Sequence, residues 1–235
     1  MLILSIEQST QQGSLAILQG TTVIADRVWT DTRFHSRHLF VVLADALTEA
    51  ALAVRDVDVF VVGLGPGSYT GLRMAVSAAS SMALPDGKPV FGLSSAEALA
   101  AATFASLPKS TPVLVVGDAR RDSLWMGLFN PEDSIATQPT EWKLGPISDV
   151  PDVLREGGVI VTPDWTKLGS LLHNVCSGRQ NLCLIEETRF PSATALAGLA
   201  ARRLTAGMPS LPLLPIYLHP PAATRTSRSK ESTHT

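Results

Sequence analysis

Three groups of residues in this sequence could do chemistry. The first is the stretch GLGPGSYTGLR, residues 63–73. Glycines bare their N–H groups and a following helix offers its N-terminus, so such a loop could cradle a phosphate. The P-loop pattern is absent, because no lysine follows the second glycine. The dinucleotide fingerprint fails too: after Gly63-x-Gly65 the required position holds Ser68, and Gly67 falls one residue early. The second group is a pair of acidic residues, Glu7 and Asp118, at matching turns. They could hold a magnesium–phosphate, yet residues 8–12 and 119–122 are poor in the glycine that close phosphate approach needs, which favours carboxylates that stabilise turns. The third is His35-x-x-His38. Metal pairs on a helix sit at i, i+4, and this pair is i, i+3 with no glutamate between, so no metal site is expected. No G-x-S-x-G elbow occurs. Cys176 and Cys183 fit neither a zinc motif nor a disulfide framework and read as small core fillers beside a strand.

A structural role for the glycine loop is the competing expectation. Gly65, Pro66 and Gly67 let the chain reverse, Ser68 caps the next helix, and Thr70 lies in its first turn. Arg73 follows where the helix dipole disfavours a cation, so a local partner or an anion is expected beside it.

The elements that must position these residues follow from periodicity. Residues 2–6, 14–18 and 22–28 read as strands, and 57–62 as a buried, parallel strand. A helix capped by Ser36 is expected to run to about Val54, and another from about Ser68 to Leu84. A short strand at 89–92 precedes Ser94-x-x-Glu97, a capping box opening a helix over 96–104. Beyond Pro108 the pattern restarts: strand 113–117, acidic turn, strand 123–129. The stretches LSIEQSTQQGSLAIL and VVGDARRDSLWMGLF share this layout, which suggests an internal duplication. Strands at 159–162 and 182–185 and a helix at 192–206 complete an α/β protein of two related lobes, residues 1–107 and 108–221. Residues 222–235 are polar and read as a disordered tail.

The two helices flanking the loop stand out. The first is apolar around most of its circumference, so more than its own sheet must cover it. The second is rich in alanine and serine, which permits close helix approach. Either the two helices cover each other, or together they form a protein–protein surface. Leu39, Val42, Leu43, Ala46, Met74, Ser77, Ala78 and Ser81 are the interface candidates.

A 235-residue chain with 45% hydrophobic residues can build a real core. Its net charge of −2 gives no general pull on nucleic acid. The opening MLILSIEQS is short and lacks a basic start, so it reads as a strand rather than a signal peptide. No run approaches the roughly 18 apolar residues of a membrane helix. A soluble, cytoplasmic protein in a reducing compartment is expected.

In order along the chain, DVDVFVVGLGPGSYTGLR, PVFGLSSAEALA, DARRDSLWMGLF and PIYLHPPAA resemble the TsaB family, also called YeaZ. The resemblance runs to about Pro221. It implies a duplicated actin-like (ASKHA, ribonuclease H-like) fold. It also implies a role in forming N6-threonylcarbamoyladenosine at tRNA position 37, as a non-catalytic scaffold and not a peptidase. The implied partners are a TsaD-type catalytic paralogue and a TsaE-type ATPase, with tRNA met only through the complex. The implied contact is helical and comes from the first lobe, and the same surface allows a homodimer. No cofactor is implied for this chain alone; the assembled complex leaves room for ATP or ADP and a metal. The sequence departs from the family at the first turn, where Glu7-Gln8 replaces Asp-Thr, and at Ser123 and Trp125. It departs again at Ala75 and Ser80-Ser81 on the second helix. An independent ASKHA-type ATPase or phosphotransferase using Glu7, Asp118 and the glycine loop is the alternative.

Overall fold

The computed structural model describes residues 1–30, 35–108, 110–130 and 142–218. Its first sheet holds β1 (Leu2–Glu7), β2 (Gln12–Gln19), β3 (Thr22–Thr30), β4 (Val59–Gly63) and β5 (Val90–Leu93), in the order β3-β2-β1-β4-β5. β1–β2 and β2–β3 pair antiparallel, while β1–β4 and β4–β5 pair parallel. The second sheet holds β6 (Val113–Asp118), β7 (Leu124–Phe129), β8 (Trp142–Gly145), β9 (Gly158–Val161) and β10 (Leu182–Leu184). Its order is β10-β9-β6-β7-β8, with the same antiparallel and parallel senses at equivalent places. Read from either hairpin, both sheets follow the path 3-2-1-4-5. The duplication is therefore a repeated topology, and it is the actin-like, ribonuclease H-like arrangement.

The helices repeat as well. α1 (His35–Glu49), α2 (Tyr69–Ala83) and α3 (Ser95–Phe104) follow β3, β4 and β5. α4 (Val150–Val153), α5 (Trp165–Cys176) and α6 (Ala193–Thr205) follow β8, β9 and β10. Side chains alternate along each strand. In β1, Leu2, Leu4 and Ile6 enter the cluster under α1 and α2, while Ile3 faces the other side, where α6 lies. α4 and α5 cover one face of the second sheet through Val150, Leu154, Leu168 and Leu172. The remaining two helices exchange places. α3 packs through Ala96, Leu99 and Ala100 on the second sheet, and α6 through Leu196, Ala197 and Ala200 on the first. The strands thus divide between β5 and β6, but the helices between the sheets do not.

α3 and α6 meet each other, and the buried Glu97 carboxylate pairs there with the buried Arg203 guanidinium. Ser94 caps α3, as its pattern predicts, by accepting from the Glu97 N–H at 3.4 Å. α6 gains two hydroxyl partners: Ser192 accepts from the Ala195 N–H, and Ser14 of β2 accepts from the Ala193 N–H.

Several sequence expectations need correction. α1 ends at Glu49, not near Val54. Ala51 adopts a left-handed conformation (φ 53°), and the Leu52 N–H returns to the Leu47 carbonyl, a Schellman-type stop. Residues 54–56 form a separate 3₁₀ turn. Ser36 lies inside α1 rather than capping it. α5 was not anticipated, and Cys176 ends this helix instead of flanking a strand. Cys176 is buried as expected, but Cys183 is exposed on β10 and fills no core. The tail, residues 222–235, lies outside the described residues.

Candidate functional site

The glycine loop is a packed corner. The Gly65–Pro66 peptide is cis, and Gly65 has φ +90°, a conformation only glycine adopts without strain. The Gly65 N–H donates to Ser95 Oγ, and its carbonyl accepts from the Ser95 N–H and from Ser94 Oγ. The β1–β2 turn lies directly against the loop: the Ser68 N–H donates to the Ser9 carbonyl at 2.6 Å. Ser68 caps α2 by accepting from the Gly71 N–H. A Cβ on Gly71 would fall far inside contact distance of the Gln8 carbonyl oxygen, and one on Gly63 would strike the Glu7 carboxylate. These glycines admit the neighbouring β1–β2 turn and the Glu7 side chain. Pro66 is buried in the corner, while Gly67 and Thr70 reach the surface.

α2 begins at Tyr69, so Arg73 lies just past its first turn, and it has local partners there. Its Nε donates to the Tyr217 hydroxyl at 3.0 Å, and its guanidinium carbon lies 4.1 Å from the centre of the Tyr69 ring. The two tyrosine rings stack at 5.2 Å. The Tyr217 hydrogen bond raises the Arg73 pKa further. Sequence reasoning called for a partner but did not find Tyr217, which arrives from 144 residues downstream.

A cleft of about 540 Å³ separates the lobes, lined by Ser9, Gly67 and Ser68 on one side and by Asp118, Asp164 and Lys167 on the other. Asp118 is partly desolvated, which raises its pKa, but the Lys167 ammonium and the Arg120 N–H outweigh this and hold it below the usual carboxylate range. Asp164 is pushed up by burial, while accepting from the Asp118 N–H at 2.8 Å. Asp164 stands before α5 where Ser68 stands before α2, so the duplication could have located it. Among the described residues no group of three or more His, Cys, Asp or Glu side chains is placed to hold a metal. The His35–His38 spacing falls partly outside the residues whose side chains are described.

Glu7 does not reach the cleft. It is completely buried, with Oε1 accepting from the Ser9 N–H at 2.6 Å and Oε2 against Gly63. Burial pushes its pKa up, with the bonds from Ser9 and Ser95 opposing. As pH rises past the ordinary value of 4.5, the unfolded chain releases this proton first and the folded chain holds it. Stability therefore falls between 4.5 and the raised folded value, then levels off. Glu7→Gln is expected to match the natural chain at pH 4 and exceed it at pH 8. Urea denaturation at the two pH values checks this; equal stability at pH 8 contradicts it.

α1 and α2 lie side by side on the first sheet. Their outward faces differ from the candidates read by spacing. Leu39, Leu43 and Ala46 point into the monomer's own core, as does Ala78. The run LFVVL at 39–43 is apolar at every position, so it carries no helical phase. The outer face of α1 instead presents Phe40 (54% exposed) and Val41 (57% exposed), with Val42 half-buried beside them. On α2, Arg73, Ser77 and Ser81 face outward and Met74 is half-buried. Among the described residues, no helix is long and apolar enough to cross a membrane.

Residues 22–138 match the family model of TsaD, tRNA N6-adenosine threonylcarbamoyltransferase. An uncharacterized protein of Mycobacterium tuberculosis is 30% identical over 94% of this chain and 93% of its own length. The tRNA threonylcarbamoyladenosine biosynthesis protein TsaB of Bacillus subtilis is 30% identical over 66% of this chain and 67% of its own. The YeaZ structure from Pseudomonas aeruginosa superposes with a TM-score of 0.72 at 22% identity, covering 92% of this chain and 99% of that one.

Proposed function

We propose that this chain, which belongs to the TsaB family, is a non-catalytic scaffold for a TsaD-type catalytic paralogue that forms N6-threonylcarbamoyladenosine at tRNA position 37. Membership supports a place in tRNA threonylcarbamoyladenosine biosynthesis, the role named for the relatives from Bacillus subtilis and Escherichia coli. The observation that supports the scaffold role is the outer face of α1. A phenylalanine and a valine stand side by side in solvent on a helix whose inner face is already filled. A second protein that covers them gains their burial, and the small residues of α2 let it approach closely.

Phe40→Asp is expected to leave stability within about 0.5 kcal/mol, because the side chain is exposed. It should weaken association with the paralogue by about 2 kcal/mol or more, the loss typical of a central aromatic anchor. Leu39→Ala, one residue away but inside the core, should cost about 2–5 kcal/mol of stability instead. Titration calorimetry and urea denaturation separate the two effects. The role itself is tested by reconstituting tRNA modification with the paralogue and a TsaE-type ATPase, with and without this chain. No association and unchanged modification would reject it. The same exposed face suits a homodimer when the paralogue is absent, and sedimentation across a concentration series reads that competition.

The cleft between the lobes favours one other reading, an independent ATPase or phosphotransferase. Against it, Glu7 is sealed away from the cleft and Asp118 is engaged by Lys167. In the scaffold reading no nucleotide or metal binds this chain by itself, and tRNA is met only through the complex. Tight ATP–magnesium binding with turnover by the isolated chain would favour the enzyme.

A further inference from the structure

After α6, residues 207–218 run on across the first lobe, from the edge of β5 to the start of α2. The Gly92 N–H donates to Ser210 Oγ at 2.8 Å, and the Leu211 N–H donates to the Gly92 carbonyl, so the strap adds a bridge to the free edge of β5. Leu211, Leu213 and Ile216 pack on the core under α1 and α2. The Ile216 N–H donates to the Leu64 carbonyl at 2.8 Å, beside the glycine corner. One residue later, Tyr217 stacks on Tyr69 and accepts from Arg73, which are the first and fifth residues of α2.

We propose that Tyr217 is a positioning residue for partner docking: it locks the first turns of α2 through Tyr69 and Arg73, and so sets the outward row of that helix. The proposal rests on the scaffold reading. Its physical basis is the set of contacts between the strap and this helix start. Arg73 lies one turn into α2, exposed, and alone its long side chain would be free to take other rotamers. The Tyr217 oxygen and the Tyr69 ring face hold it by a hydrogen bond and a cation–π contact. The stack adds an aromatic contact between the strap and the helix. A helix already fixed loses less freedom when a partner closes on it, so its affinity depends on the clamp even if the partner never touches Tyr217.

The test uses the full chain with Tyr217→Ala and Tyr217→Phe, a TsaD-type subunit as titrant, and amide hydrogen exchange on the free chain. Tyr217→Ala is expected to weaken association about tenfold, the scale set by one lost aromatic contact and one hydrogen bond. It should also speed exchange over residues 69–75 while β1 keeps its protection. Tyr217→Phe, which keeps the ring, should recover affinity to within about threefold of the natural chain. Unchanged affinity for Tyr217→Ala, with the natural chain binding well, overturns this proposal alone. Weakened affinity with unchanged exchange also overturns it, since Tyr217 would then touch the partner directly. No binding by the natural chain overturns the scaffold reading and this proposal with it.

Discussion

Arg203→Ala is expected to lower the unfolding free energy by about 3–5 kcal/mol, the usual cost of stranding one partner of a buried ion pair. The side chains of Arg203 and Glu97 are only 4% and 1% exposed, so water cannot replace the lost partner. The pair joins the two helices that exchange sheets, so its loss acts on both lobes. Glu97→Ala should cost a similar amount, since it leaves the guanidinium buried. A double replacement, Glu97→Leu with Arg203→Met, removes both charges and keeps most of the volume. It is expected to recover most of the loss, as apolar substitutes for buried pairs often do. Urea denaturation of the four proteins checks this. Single substitutions costing under about 1 kcal/mol would mean that the charges are hydrated in solution.

Gly71→Ala has the second large effect, and its sign is opposite to what helix propensity alone predicts. In an ordinary helix interior, alanine is better than glycine by about 0.5–1 kcal/mol. At Gly71 the new methyl meets the Gln8 backbone carbonyl, which cannot swing aside as a flexible side chain would. Either the β1–β2 turn or the start of α2 must move. The net cost expected is about 1–3 kcal/mol, the range for overpacked cores. Association with the paralogue should fall as well, because the outward row of α2 shifts with its first turn. Gly198→Ala in α6 is the control, since a Cβ there meets no neighbouring atom within 4 Å. That change should be neutral or stabilising. If Gly71→Ala behaves like Gly198→Ala in thermal denaturation and in calorimetry, the corner is looser than the hydrogen bonds from Ser68 and Gly65 imply.

The mostly apolar run of β1 and the continuous apolar run of β4 made the central strands readable, because both strands are buried on both faces. The duplication was readable from the two similar hairpins. α5 escaped notice because Gly169 interrupts its apolar pattern and Pro163 precedes it closely. The end of α1 was missed for the opposite reason. Ala51 occupies a left-handed position that glycine usually marks, so nothing in the sequence announces the stop. The corner role of the glycine loop followed from its failure to match either phosphate pattern. What filled it, the turn after β1, is a contact across some sixty residues that spacing cannot reveal. The same limit hid Tyr217 and the Glu97–Arg203 pair. Glu97 already fits a capping box by local pattern, which gives no reason to look for Arg203 beside it.

The exchange of α3 and α6 has a consequence for biosynthesis. While the ribosome has released only the first lobe's strands, one face of that sheet has no helix to cover it. The helix that will do so is encoded by residues 193–205, well after the last strand of that sheet, β5, which ends at Leu93. A nascent first lobe therefore carries a wet, apolar sheet face while the whole second sheet is being made. It becomes a finished lobe only when residues 193–205 have emerged.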